Sequence, residues 1–235
     1  MNKNTFLYLC LTVTVAILFT QCKKDDSSPD PTPTPVKDYM PVTAGSTFTY
    51  QNTAGTNVTT YTLTVSGKDT VLNAKTYKIF TSTDSVNRYR AKVSSDYFQL
   101  ASIPMISIAN FENLYLKENA AINDTWADNV QVPNPTNPAQ TFTATLTNKM
   151  MEKGISYTVN GKLYENTIHV KLSLSIKVPI TGVPFPITVD LGGGDMYYAL
   201  GVGMIKNSLN ISSSNPLLTF PPINSEDVLL SYVIK

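Results

Sequence analysis

The sequence predicts an all-β fold: one strongly curved antiparallel sheet or open β-barrel with little helix, preceded by a signal peptide and a disordered linker. Three observations carry this. The stretch Thr167–Val178, TIHVKLSLSIKV, alternates apolar and polar residues without a break. Such period-two alternation marks a strand with one face buried. At about 3.3 Å per residue it reaches roughly 40 Å, well beyond the usual strand of about five or six residues. A strand of that length fits a curved sheet or barrel better than a compact sandwich. Finally, no convincing helix-period segment exceeds about two turns.

The first element is the segment 1–21, MNKNTFLYLCLTVTVAILFTQ. A short leader carries Lys3, and an apolar core of 14 residues runs from Phe6 to Phe19. A spanning helix needs about 20 residues, so a basic leader on a short apolar core reads as a secretory signal. Thr20-Gln21 stands where an ordinary signal carries its small-residue cleavage site, and Cys22 follows. Phe19-Thr20-Gln21-Cys22 resembles the lipobox of bacterial lipoproteins, with Phe19 for the usual leucine and Gln21 for the usual small residue. The resemblance implies that Cys22 is lipidated. The alternative is a retained, buried cysteine in an N-terminal anchor helix. Lipidation fits the energetics, since each buried methylene contributes about 0.8 kcal/mol and two or more chains anchor stably.

Residues 22–37 follow as the lipidated cysteine and a linker rich in Pro, Asp, Ser and Thr. Such a run cannot bury a core and favours extended polyproline II. Lys24-Asp25-Asp26 resembles the lysine-plus-acidic-pair signal that sends some Gram-negative lipoproteins to the cell surface; the alternative is a solvated charged linker. The expected location is the outer membrane, lipid-anchored and surface-exposed, with a periplasm-facing orientation as the other outcome.

Removal of residues 1–21 would take Cys10 and Lys3 with it. One cysteine would remain, which excludes an intrachain disulfide, and 17 basic residues would balance 17 acidic ones. Neutral balance argues against nucleic acid, which wants a basic face. A single histidine, His169, removes most Cys/His metal sites and histidine triads. No cofactor, metal or catalytic residue is expected.

The span 38–235 reads as a single β domain, its 198 residues long enough for a substantial core. Tyr61, Leu63 and Val65 share a face, as do Phe142, Ala144, Leu146 and Met150, each opposite a row of threonines. Asn160-Gly161 is the strongest hairpin signal. Gly67-Lys68, Asn73-Ala74 and Ser94–Asp96 read as further turns, and Phe111–Leu116 as the only weak helix candidate. Gly45-Ser46-Thr47-Phe48 and Asn123-Asp124-Thr125-Trp126 echo each other as turns opening into strands with an aromatic anchor. Four matched residues do not establish a repeat.

YMPVTAGSTFTY near Tyr39, AINDTWAD, YYALGVGMIK at Tyr197–Lys206 and a closing LLSYVI resemble uncharacterised bacterial lipoproteins. Their folded part is similar to the open barrels of the lipoprotein-carrier (LolA/LolB-like) type. The resemblance implies a curved sheet around an apolar hollow and no catalytic residues; carrier-type folds usually plug the hollow with helices, and this chain departs in offering little helix, so any plug would be loops.

Arg88, Arg90 and Lys92 occupy one face of NRYRAKV. The plainer reading is a solvated polar face; the sharper one is an anionic contact, since arginine's planar fork suits carboxylate or phosphate. Three apolar, proline-bearing loops, 98–108, 178–187 and 215–223, cap the core or form a docking edge. Gly192-Gly193-Gly194 reads as a hairpin turn, Gly201-Val202-Gly203 as a bend or bulge, and Asp190 with Asp195 as weak evidence of a cation site. Asp69-Thr70-Val71 and Asp84-Ser85-Val86 resemble a short O-glycosylation motif that chance easily explains. The sequence therefore points to a non-catalytic, membrane-anchored lipoprotein. Its barrel binds an apolar ligand or envelope partner, and the alternative is a surface adhesion or glycan-binding module.

Overall fold

A computed structural model describes residues 37–103, 108–134, 137–179, 184–213 and 221–235. Within them lie twelve strands and no helix. The first half comprises β1 (Thr47–Ala54), β2 (Asn57–Leu72), β3 (Lys75–Ser82), β4 (Arg88–Val93), β5 (Asp96–Ile103) and β6 (Ile108–Lys117). The second comprises β7 (Thr125–Asn134), β8 (Asn137–Val159), β9 (Lys162–Val178), β10 (Ile187–Ala199), β11 (Gly203–Ile211) and β12 (Ile223–Val233). All pair antiparallel in one sheet, in the order β6-β5-β4-β3-β2-β1-β12-β11-β10-β9-β8-β7. Each half is a six-stranded meander. Pairing of β1 with β12 joins the halves, and the sheet curls into a nearly closed barrel.

The alternation in the sequence sets which face is inside. Ile168, Val170, Leu174, Ile176 and Val178 are buried along β9, and Phe142, Ala144, Leu146 and Met150 along β8. Tyr61, Leu63 and Val65 do the same on β2. Asn160 and Gly161 both take positive φ, 50° and 73°, as a two-residue type I′ turn requires. Asn73 and Ala74 repeat that geometry at 48° and 59°.

Three local expectations are corrected. Phe111–Leu116 lies in strand β6, not in a helix, because β5 supplies a partner ladder for it. Gly67-Lys68 is a bulge inside β2: pairing with β3 jumps from Val65 to Asp69, and the chain runs on. Gly192–Gly194 lies within β10 between β9 and β11, whereas Gly201-Val202 forms the β10–β11 turn.

The glycine run has a packing reason. A Cβ on Gly193 would stand 1.9 Å from the Leu172 carbonyl oxygen, and one on Gly194 1.8 Å from that of Ser208. Only glycine lets the three backbones close up there. The run lies where the long strands pass from one buried cluster to another. The larger cluster fills the barrel with Phe48, Tyr50, Tyr61, Phe80, Tyr115 and Tyr198 among others. The smaller gathers Phe142, Leu146, Leu174, Ile176, Leu191 and Ile211. The length of β8, 23 residues, and of β9, 17 residues, is used to serve both.

The two halves open alike. Gly45 N–H donates to the Val65 carbonyl (2.9 Å), Val65 N–H to Ser46 (2.9 Å) and Ser46 N–H to Thr43 (3.0 Å). Asn123 donates to Met150 (2.8 Å), Met150 to Asp124 (2.9 Å) and Asp124 to Ala121 (3.0 Å). Phe48 and Trp126 then enter the same core. The echo in the sequence is thus one turn built twice, at equivalent places in the two meanders.

Edges β6 and β7 meet without a ladder between them. Side chains tie the seam instead. Trp126 Nε1 and Asn148 Nδ2 donate to the Leu114 carbonyl at 2.7 and 3.1 Å, and Leu114 N–H donates to Asp128 Oδ2 at 2.9 Å. Burial holds the Asp128 carboxyl above its ordinary range, against the pull of that N–H.

The entering chain closes one end of the barrel. Tyr39 and Met40 are buried in the main core. The Tyr39 hydroxyl donates to Asn166 O (3.1 Å), and Gly201 N–H donates to Asp38 O (2.7 Å). The Asp38 carboxylate takes Lys92 Nζ at 2.7 Å and the Tyr97 hydroxyl at 2.9 Å.

Candidate ligand-binding site

Of the stripe on β4, Arg88 and Arg90 face the barrel interior, and Lys92 is exposed at one end. Arg90 and Arg88 line a cavity with Leu63, Met196 and Tyr198, and Lys92 reaches the plugged end. Each cation lies over an aromatic ring: Arg88 over Tyr61 (5.4 Å), Arg90 over Phe80 (5.1 Å) and Lys92 over Tyr97 (4.7 Å). Ring faces carry negative potential, so an arginine stripe is tolerated where an aliphatic wall would reject it. The interior is therefore not the apolar hollow that the carrier-type resemblance implies. It is lined with tyrosine and holds both arginines of the chain.

The cavity measures about 490 Å³, within the range of small-molecule sites. It opens at the end where β1 passes into β2, the end opposite the plug. Asn52, Thr59, Asp84, Asn207 and Asp227 form its polar rim, and Leu63, Met196 and Met204 its apolar side. The centres of the three apolar loops are residues 104–107, 180–183 and 214–220. Those loop centres, like Cys22, Lys24, Asp25 and Asp26, fall outside the described residues.

Rim charges are already engaged. Asp84 accepts from Arg88 Nη2 at 2.7 Å and from Val86 N–H at 3.0 Å. Partial burial would raise this carboxyl, but those donors outweigh it and hold it at about 2. Arg88 also donates to the Val86 carbonyl. Asp227 accepts from Asn52 Nδ2 (2.9 Å), the Tyr61 hydroxyl (3.2 Å) and Asn207 Nδ2 (3.2 Å).

Arg90 is different. Protein surrounds it, and its remaining exposure is to the cavity and to a small void bounded by Met40, Phe48 and Tyr50. Burial works against its charge, and the phenol groups of Tyr115, Tyr50, Tyr198 and Tyr61 around it work the other way. Among the described residues the guanidinium makes no hydrogen bond or ion pair. Burial raises the surrounding phenols, Tyr50 to about 12 and Tyr61, Tyr115 and Tyr198 also well above their ordinary range. They are neutral donors at any physiological pH. Tyr50 donates to Met204 O at 2.8 Å.

Sequence reasoning found Arg88, Arg90 and Lys92 and placed them on one face, but Lys92 belongs to the plug rather than the cavity. It did not single out Asn52, Asn207, Asp227, Tyr115 or Tyr198. Their signal was weak, because they come together from β1, β6, β10, β11 and β12.

On the outer surface a polar groove of about 590 Å³ runs over the glycine run, walled by Lys171, Asp190, Asp195, Ser208 and Asn210. His169 stands beside it, Nδ1 3.0 Å from Glu152 and Nε2 2.8 Å from Asp195, with its ring stacked on Tyr197 at 4.3 Å. Asp195 is thus tied to His169, and Asp190 accepts the Gly192 N–H at 2.9 Å. Among the described residues no cluster of His, Cys, Asp or Glu is arranged to hold a metal ion.

No known family model matches the chain, and no curated protein is similar to it in sequence. Two solved structures are similar to it. A protein from Parabacteroides distasonis, described as a lipoprotein, is 14% identical over 85% of this chain and 100% of its own, with a TM-score of 0.50. An exported protein with a YmcC-like fold from Bacteroides fragilis is 10% identical over 84% of this chain and 99% of its own, with a TM-score of 0.42.

Proposed function

We propose that the chain is an envelope lipoprotein, anchored by acylated Cys22, whose barrel works by binding rather than catalysis. The observation that carries this is the mixed polar and apolar cavity at the barrel mouth. Its size and concavity suit a small ligand, and its lining offers both apolar wall and orienting donors. The fold shared with a chain described as a lipoprotein supports the envelope setting. Outer-membrane residence and export to the surface through Lys24-Asp25-Asp26 belong to the same reading. So does a carrier-like strategy, a half-open barrel around its cargo. Asp84, held ionised by Arg88, is a poor general acid, which favours binding over hydrolysis.

The outer groove supports a second reading, a surface module that contacts glycan. Its backbone is laid bare by three glycines and flanked by short polar side chains.

The test is purification of the full-length lipoprotein from membranes, followed by native mass spectrometry. A co-purified small molecule is expected, and Cys22→Ala should abolish acyl labelling and release the protein from the membrane fraction. Unchanged fractionation would remove the anchor from the proposal. A barrel that never carries or accepts a small molecule would favour the glycan reading.

A further inference from the structure

We propose that the mouth cavity selects ligands bearing a single acidic group, a carboxylate or a phosphate, which docks on Arg90. This rests on the cavity being the binding site and goes beyond it by assigning the ligand's chemistry.

Most interior-facing and seam-side cations have a protein carboxylate. Arg88 has Asp84 at 2.7 Å, Lys92 has Asp38 at 2.7 Å and Glu118 at 3.4 Å, and Lys75 has Glu112 at 2.7 Å. Arg90 has none, although a carboxylate shares its cavity. Asp227 is instead held by three neutral donors. A guanidinium remains charged under all conditions, and a buried charge without a partner is costly. The Phe80 ring face and the surrounding phenol groups offset part of that cost, but they leave the planar N–H fork without an acceptor.

An acceptor that enters with the ligand completes the site. The fork matches a carboxylate or phosphate bidentately. Tyr115, whose ring packs 5.4 Å from that of the cavity-lining Tyr198 and whose hydroxyl makes no hydrogen bond among the described residues, supplies a further neutral donor. The ligand's body then meets Leu63, Met196 and Met204, surfaces that suit an apolar chain or ring. The rim limits the charge. Asp84 and Asp227 would repel a second, separate anionic group, so ligands with several acidic groups are disfavoured and an amphiphile with one acidic head group is favoured.

The experiment compares three probes on the full-length lipoprotein in nanodiscs by isothermal titration calorimetry: 4-phenylbutyrate, phenyl phosphate and the neutral 4-phenylbutanol. At least one acid should bind about 10-fold or more tighter than the alcohol, as expected for one charge-assisted contact. Which acid wins identifies carboxylate or phosphate as the natural head group. Arg90→Met should bring the acids down to the affinity that the same variant shows for the alcohol. Tyr115→Phe, which removes one oxygen from a buried ring, should weaken the acids several-fold, and it tests the dock if Arg90→Met does not fold. Equal binding of acid and alcohol to the wild type would overturn the dock but leave the cavity as a site. So would acid binding that survives both substitutions. If none of the probes binds, the cavity reading falls and the dock with it.

Discussion

Gly193→Ala isolates the packing role of the glycine run. The added methyl would lie 1.9 Å from the Leu172 carbonyl oxygen and 2.8 Å from its carbon, with Ser173 Cα at 3.0 Å. To reach even 3.0 Å, β10 must move from β9 by about 1 Å. A ladder hydrogen bond stretched by that much is lost. Two or three bonds flank the site, at a net ~1 kcal/mol each, and buried groups left unpaired add to that. The expected cost is about 3–5 kcal/mol, or roughly 6–20 °C in melting temperature for a domain of this size. Gly161→Ala is the control. That glycine has positive φ, 73°, but nothing within 4 Å of its added methyl, so only the backbone penalty of about 1–2 kcal/mol applies. Urea melts followed by circular dichroism measure both. If Gly193→Ala costs no more than Gly161→Ala, the close approach of β9, β10 and β11 is not what the glycines serve.

Two further outcomes follow from the plug and the rim. Tyr97→Phe removes the hydroxyl shared by Asp38 (2.9 Å) and Glu118 (2.8 Å), at about 1–2 kcal/mol. Hydrogen exchange at the Met40 and Gly201 amides should quicken without global unfolding, and unchanged protection would place the plug's hold elsewhere. Asp84 contributes through acid linkage. Its folded carboxyl, at about 2, lies below its ordinary 3.8, so its stabilisation is present above about pH 4 and fades as pH falls through about 2. Solvent screening at a side chain 32% exposed reduces this to roughly 1 kcal/mol. Asp84→Asn should therefore lose about that much near pH 6 and match the wild type near pH 2; an equal gap at both would count against the ion pair.

What the sequence disclosed and what it hid divide along a physical line. Alternation is local, so the buried faces of β2, β8 and β9 were legible residue by residue. Parity relative to the neighbouring strand is not local. The β4 stripe offered Tyr89, Ala91 and Val93 as the more apolar face, yet Arg88 and Arg90 turn inward, because aromatic rings on β2 and β3 receive them, and Lys92 stands exposed over Tyr97 at the plugged end. Phe111, Leu114 and Tyr115 have helical spacing, and only the ladder to β5 makes them a strand. Gly67 has the positive φ of a turn, 73°, in a chain that does not turn. The cavity was the least legible feature. Its walls come from five or more strands, and the tyrosines that surround Arg90 are ordinary strand formers in any window of sequence.

The plug also decides how the barrel meets mechanical force. A pull on the chain before Lys37 arrives first at Asp38 and Tyr39. Their bonds reach Lys92 and Tyr97 on one half and Asn166 and Gly201 on the other. The load is thus divided between the two meanders before β1 feels it.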